Sequence, residues 1–208
     1  MIKVKVCGLT DPDNVQEIAG LIPDFMGFIF YPGSKRFVGN IIKDSLFSNI
    51  PSGILKTGVF VNEEPSRILN IMNLYGLDLV QLHGDETAEY CSFLKQEGLK
   101  VIKAFSIDEN VSFETLEQYL NTCEYFLFDT KSDSTGGSGI KFDWRKISEY
   151  TLDMPFFLGG GIGPEDAPLV KQLNHKWLIA VDINSRFEKR PGIKDYIKVK
   201  KFIYKIRQ

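Results

Sequence analysis

Cysteine and histidine are scarce in this sequence, three of one and two of the other among 208 residues. Cys7, Cys91 and Cys123 form no C-x-x-C pair and stand near no histidine cluster, so neither a metal site nor a disulfide framework is expected. Such usage points to a reducing cytoplasm. An excess of charge of one sign is also missing: 25 Lys plus Arg face 27 Asp plus Glu, for a net charge of -2. That leaves no basic footprint for nucleic acid or an anionic membrane, and any anionic ligand has to be met by local groups. No apolar run approaches the roughly 20 residues needed to span a bilayer, and Met1 leads straight into a charged strand. The expectation is a soluble, untargeted chain. The glycine-rich G-x-G-x-x-G turn of a dinucleotide-binding sheet is absent too, its place after the first strand being taken by Cys7-Gly8-Leu9-Thr10.

What is present is a repeat. Ile2, Val4 and Val6 alternate as a strand that ends at Cys7, and Asp11 with Pro12 opens a helix to about Gly20. Further apolar runs at Asp24 to Phe30, Ile54 to Val61, Leu77 to Leu82, Lys100 to Phe105, Tyr125 to Asp129, Pro155 to Leu158 and Trp177 to Ile183 bring the strand count to eight. Helical stretches are expected near Asn40 to Asn49, Pro65 to Tyr75 and Phe113 to Asn121, with a short one after Asp143. Eight strand-helix units of about 26 residues fit a lean, single-domain (β/α)8 TIM barrel spanning 1–208, and its buried parallel strands explain the continuous apolar runs. A doubly wound α/β sheet is the rival. The apolar stripe Val199, Phe202, Ile203 and Ile206 predicts a closing C-terminal helix with a solvated lysine face, and the Ser/Gly-rich loop from Thr130 to Lys141 reads as a lid or a plain connector.

In a barrel, residues at the carboxyl ends of strands converge on one mouth. Cys7, Arg36, Gln81, His83, Asp129 and Asp182 all fall at or just beyond such ends. A thiol there is a base, a nucleophile or a buried bystander; Lys5 shares its face and either lowers its pKa or is neutralised elsewhere. Asp129 alone could cap its loop, His83 could be structural, and Arg36 out of context would be a surface residue. After strands seven and eight, Gly159-Gly160-Gly161 and Asp182-Ile183-Asn184-Ser185-Arg186 suit a phosphate site, where glycines expose backbone N–H groups.

Taken together, Lys5-Val6-Cys7-Gly8-Leu9-Thr10, Ser34-Lys35-Arg36, Gly58-Val59-Phe60-Val61-Asn62, Val80-Gln81-Leu82-His83-Gly84-Asp85-Glu86, Phe128-Asp129-Thr130, Gly136-Gly137-Ser138-Gly139 and Pro191-Gly192-Ile193-Lys194-Asp195 resemble the phosphoribosylanthranilate isomerase family over essentially the whole chain. The resemblance implies a (β/α)8 barrel without metal or organic cofactor and an Amadori rearrangement of N-(5-phosphoribosyl)anthranilate in tryptophan biosynthesis. It also implies that Cys7 is the base, Asp129 the acid, and Arg36 the receptor for the anthranilate carboxylate. Gln81 and His83 would line the substrate, Asp182 would orient the substrate or a backbone group of the phosphate site, and Gly160, Gly161, Asn184, Ser185 and Arg186 would hold the phosphate. Association with neighbouring pathway enzymes is a further expectation of that setting. Asn184-Ser185-Arg186 departs from the family's more usual serine, serine, glycine, so Arg186 either compensates with its guanidinium or points into solvent. Another phosphate-binding barrel, or a phosphosugar-binding module without turnover, are the alternatives. Chemistry at neutral pH demands tuning: an ordinary aspartic acid is protonated in only about one molecule per thousand at pH 7, and an ordinary thiol is ionised to a few per cent.

Overall fold

The computed structural model describes residues 1–39, 46–108, 110–130 and 143–208. Most of the helix expected over residues 40–49, and the Ser/Gly-rich loop with Gly136 to Gly139, lie outside them. Strands β1 (Lys3–Cys7), β2 (Phe25–Ile29), β3 (Leu55–Phe60), β4 (Leu79–Leu82), β5 (Val101–Ile107), β6 (Tyr125–Thr130), β7 (Phe156–Leu158) and β8 (Leu178–Ile183) form one closed barrel in sequence order. All eight pairings are parallel; closure sets Lys5 beside Asp182 across β1 and β8, and Cys7 beside Gly27 across β1 and β2. Because side chains alternate along a strand, two apolar layers result. Phe25, Leu79, Ile102, Ala104, Leu127, Phe157 and Ala180 fill the barrel, while Val4, Val6, Met26, Phe28, Val80 and their neighbours meet the outer helices.

The helices start where short acceptors can catch free N–H groups. Asp11 accepts from the Asn14 N–H at 2.8 Å and Pro12 occupies the first turn of α1 (Pro12–Ala19). α2 (Pro65–Leu74) also begins with proline, and Thr87 caps α3 (Ala88–Gln96). α4 (Ala167–Gln172) is short; α5 (Tyr196–Arg207) closes the chain, capped by Asp195 and packed through the expected stripe of Val199, Phe202, Ile203 and Ile206. No described helix is long and apolar enough to cross a membrane.

Two expected helices are 3-10 segments instead, Phe113–Tyr119 and Trp144–Glu149. Each buries only a pair spaced by three, Phe113 with Leu116 and Trp144 with Ile147, and a period of three is satisfied by the tighter helix, in which such positions lie in line. A small hairpin of β9 (Glu188–Arg190) and β10 (Ile193–Lys194), unforeseen in the sequence, follows β8 and brings Glu188 and Lys194 back beneath the mouth.

Candidate active site

β1 delivers Cys7 to the barrel mouth, where the residue is 3% exposed. Room for its sulfur comes from the facing strand: a Cβ on Gly27 would lie 2.6 Å from Sγ. Two residues earlier, on the same face, Lys5 is fully buried and its Nζ donates to Asp182 Oδ2 at 2.9 Å. Burial pushes the Cys7 thiol up; Lys5, and after it Lys194, pull it down, and the thiol remains above its ordinary value. Burial likewise pushes Asp182 up, against the pull of Lys5. Burial opposes the Lys5 charge, but Asp182 and Cys7 hold it above the usual lysine range. Both sequence alternatives for Lys5 meet here: its charge is paired with Asp182, and it still pulls the thiol down, though by less than burial pushes it up. Asp182 Oδ1 has no hydrogen-bond partner among the described residues.

Across the mouth, β4 and β6 supply the second group. Asp129 Oδ1 accepts the Thr130 N–H at 2.7 Å, and Oδ2 lies 3.3 Å from His83 Nε2. His83 Nδ1 is 2.9 Å from Gln81 Nε2. With Gln81 donating there, the ring proton sits on Nε2 and points at the carboxylate. Asp129 and His83 side chains are each 32% exposed, open to a ligand from above.

Arg36 enters from the loop after β2. Its Nε and Nη2 donate to Glu188 Oε1 and Oε2 at 2.8 and 2.7 Å. Its stem lies on Gly8, a residue at φ 77°, where a Cβ would stand 2.6 Å from Arg36 Cδ and 2.7 Å from Asn184 Oδ1. Arg36 and Asn184 therefore flank the turn directly after Cys7. Lys194 Nζ, fully buried, joins this side: it donates to Asn184 Oδ1 at 2.6 Å and Glu188 Oε1 at 2.7 Å. Burial pulls Lys194 down to about 8 despite Glu188. Burial pushes Glu188 up, but Arg36 and Lys194 more than reverse it and hold the carboxyl below its ordinary value.

Gly160 and Gly161 adopt φ 78° and 68°, turning the loop after β7 past Asp129 so closely that a Cβ on Gly160 would lie 3.0 Å from Asp129 Oδ1. Ser185 opens the 3-10 turn Ser185–Phe187 after β8. Arg186 is exposed, and its Nη2 lies 3.1 Å from Glu165 Oε1, a contact that joins the loops after β7 and β8.

A family model described as N-(5'phosphoribosyl)anthranilate (PRA) isomerase matches residues 4–205. The chain belongs to that family. It is 41% identical to the N-(5'-phosphoribosyl)anthranilate isomerase of Parabacteroides distasonis over 98% of this chain and 92% of that one. With the isomerase of Phocaeicola vulgatus it shares 40% identity over 99% and 98% of the two chains. The phosphoribosyl anthranilate isomerase of Thermotoga maritima superposes with a TM-score of 0.86 at 35% identity, covering 100% of this chain and 99% of that one. A phosphoribosyl anthranilate isomerase solved in complex with reduced 1-(o-carboxyphenylamino)-1-deoxyribulose 5-phosphate gives 0.83 at 33%, with the same coverage.

Two parts of the isomerase mouth went unread in the sequence. Glu188 carries no local signal for this role, because Arg36 comes to it from a remote segment. Glu86, 5% exposed, accepts the Asn62 and Gly84 N–H groups at 2.9 and 3.0 Å and the Lys103 ammonium at 3.0 Å, fixing the loops that carry His83. Lys103, a charge inside the apolar run Val101-Ile102-Lys103-Ala104-Phe105, was the available sign for Glu86, since such a group is buried only when paired.

Proposed function

We propose that this mouth carries out the rearrangement of N-(5-phosphoribosyl)anthranilate to 1-(2-carboxyphenylamino)-1-deoxyribulose 5-phosphate, an isomerisation of tryptophan biosynthesis, with Cys7 as base and Asp129 as acid. The observation that carries the assignment is the pairing, at strand ends of one barrel mouth, of a buried thiol held beside a lysine ammonium with a half-buried carboxyl held by His83 and Thr130. Protonated Asp129 gives its proton to the furanose ring oxygen as the anilino nitrogen lone pair forms the C1–N double bond and the C1–O bond breaks. Cys7 as thiolate takes the C2 proton, leaving an enolamine; protonation at C1 and loss of the C2 hydroxyl proton then give the ketone. One proton has left Asp129 and one has arrived at Cys7, so its return resets the site.

Arg36 receives the anthranilate carboxylate, and the unpartnered Asp182 Oδ1 accepts from a sugar hydroxyl. Gln81 acts through His83. Backbone N–H groups of Gly160, Gly161 and Ser185 take the phosphate, with Asn184 beside them and Arg186 adding a charge-assisted bond from the rim. Three buried free cysteines favour a reducing compartment such as the cytoplasm. Association with a neighbouring pathway enzyme extends the proposal; co-elution of the purified chain with the enzyme that supplies its substrate checks it.

The test is incubation of the purified chain with N-(5-phosphoribosyl)anthranilate, followed by fluorescence and carbon NMR. Conversion quenches the anthranilate emission and replaces the C1 aminal signal by a ketone at C2. A stable bound signal without those changes would leave a phosphosugar-binding module.

A further inference from the structure

Beneath Arg36 lies a cluster of buried charge, one member of which, Lys194, also favours the Cys7 thiolate. The side chains of Arg36, Glu188 and Lys194 are 9%, 5% and 0% exposed, two cations against one carboxylate. The cluster adjoins Cys7 through Gly8, which packs against the Arg36 stem. A buried excess of one positive charge calls for an anion.

The geometry also says where that anion is received. A guanidinium has five N–H donors in one plane. Glu188 takes the edge formed by Nε and Nη2, at 2.8 and 2.7 Å, which leaves the Nη1/Nη2 edge as the remaining bidentate face. Glu188 cannot swing away: its Oε1 also accepts from Lys194 Nζ at 2.7 Å and from the Gly192 N–H at 3.1 Å. Those anchors belong to the hairpin formed by β9 and β10, whose closing strand is tied to α1, since the Lys194 N–H donates to Asn14 Oδ1 at 2.7 Å and its carbonyl accepts from Asn14 Nδ2 at 3.0 Å. The hairpin is thus a fixed plate, and Glu188 stands on it.

We infer that Glu188 is a positioning residue that locks the Arg36 fork with its Nη1/Nη2 edge facing the substrate carboxylate beside Cys7. Its effect is preorganisation: the arginine's flexible stem is ordered before the ligand arrives, and its planar fork accepts a carboxylate in one orientation. The inference rests on the assignment of Arg36 to the anthranilate carboxylate.

The test compares two ligands, the product and 1-phenylamino-1-deoxyribulose 5-phosphate, which lacks only the carboxylate. Glu188→Gln keeps the side chain's size but turns an amide N–H toward the arginine. It is expected to weaken product binding at least tenfold while binding of the phenyl analogue stays within about twofold, the latter showing that the mouth is intact. Unchanged or tighter product binding overturns the inference, because added positive charge without misplacement of the fork would strengthen binding. Glu188→Asp guards against a variant that does not fold: it preserves the charge balance but draws the carboxylate back by one methylene, and it too is expected to lose most of the preference for product. Full retention of that preference in Glu188→Asp overturns positioning. Arg36→Met separates the two layers of argument. If it keeps the preference for product, the carboxylate assignment fails and the inference with it; if it loses the preference while both Glu188 variants keep it, the assignment stands and positioning alone is rejected.

Discussion

At Cys7 the fold makes opposing demands. Burial resists formation of the thiolate that the chemistry needs, while Lys5 and Lys194 favour it. The rate is therefore expected to climb with pH as the thiolate forms, visible as a rising alkaline limb in kcat/KM. Cys7→Ala removes the proton acceptor and only a small volume, so kcat should fall about a thousandfold with ligand affinity and fold largely intact. Cys7→Ser should be nearly as poor, since a hydroxyl supplies no anion near neutral pH; a tenth of the kcat surviving in Cys7→Ala with chemistry limiting would remove it as the base. Asp129→Asn preserves size and loses the transferable proton. Ring opening then limits turnover, with kcat expected to drop at least about a hundredfold and KM to change only a fewfold; near-normal turnover at any pH would reduce Asp129 to a cap on the Thr130 N–H. On the rim, Arg186→Ala should cost roughly tenfold or more in product affinity if its guanidinium reaches phosphate as well as Glu165. Equal binding of a phosphate-free analogue by the variant and the parent locates the loss at the phosphate, whereas unchanged product affinity leaves Arg186 as a tie between two loops.

Among the elements, helix starts differ in how they are secured. Asp195 Oδ1 accepts the Ile197 and Lys198 N–H groups at 3.0 and 3.1 Å, whereas Glu64 precedes α2 with no side-chain capping bond. Asp195→Ala should therefore lower stability by about 1 kcal/mol, a fall in Tm of roughly 2–4 °C for a domain of this size, while Glu64→Ala should leave Tm unchanged. Thermal melts of the two variants side by side check this. Equal effects would mean that exposed charge, rather than capping, sets the ends. The caps were legible because they are local: Asp11 and Pro12 announce α1 within three residues. The 3-10 segments were less so, because a single pair of apolar residues three apart satisfies a short α-helix and a 3-10 turn alike until packing chooses between them.

For the whole molecule, buried thiols, together with the phenols of Tyr90 and Tyr150 that burial pushes up in the same direction, bear on alkaline stability. Burial pushes Cys91 and Cys123 up to about 12, whereas in the unfolded chain a thiol releases its proton near its ordinary value of 9.0. Between those pH values the native state binds more protons than the unfolded state, so stability falls as pH rises, by about 1.4 kcal/mol per pH unit for each proton held. Lys194, pulled down to about 8 from 10.5, works in the opposite sense between those values, because there the unfolded state holds the extra proton. Two thiols outweigh one amine, and the melting temperature should decline from pH 9 towards 12. Cys123→Ala should flatten that decline by about one proton, a difference that urea unfolding at pH 8, 9.5 and 11 resolves; an unchanged slope would assign the alkaline loss elsewhere.

Local chemistry sufficed to determine much of this protein. Eight apolar runs specified a barrel, because strands covered on both faces must be apolar throughout, and placing residues at strand ends specified which side chains share a mouth. Cys7, His83 and Asp129 were legible in that way. The ion pairs that set the mouth's electrostatics were not. Lys5 and Asp182 are 177 residues apart in the chain and Arg36 and Glu188 152 apart, and neither pair exists until β1 closes on β8 and the hairpin folds back under the mouth. A charged residue's composition and spacing are the same whether it is solvated or buried; only closure of the barrel, which removes water and supplies one counter-charge from a remote strand, decides that Lys5 acts on Cys7 and that Arg36 is held before any substrate arrives.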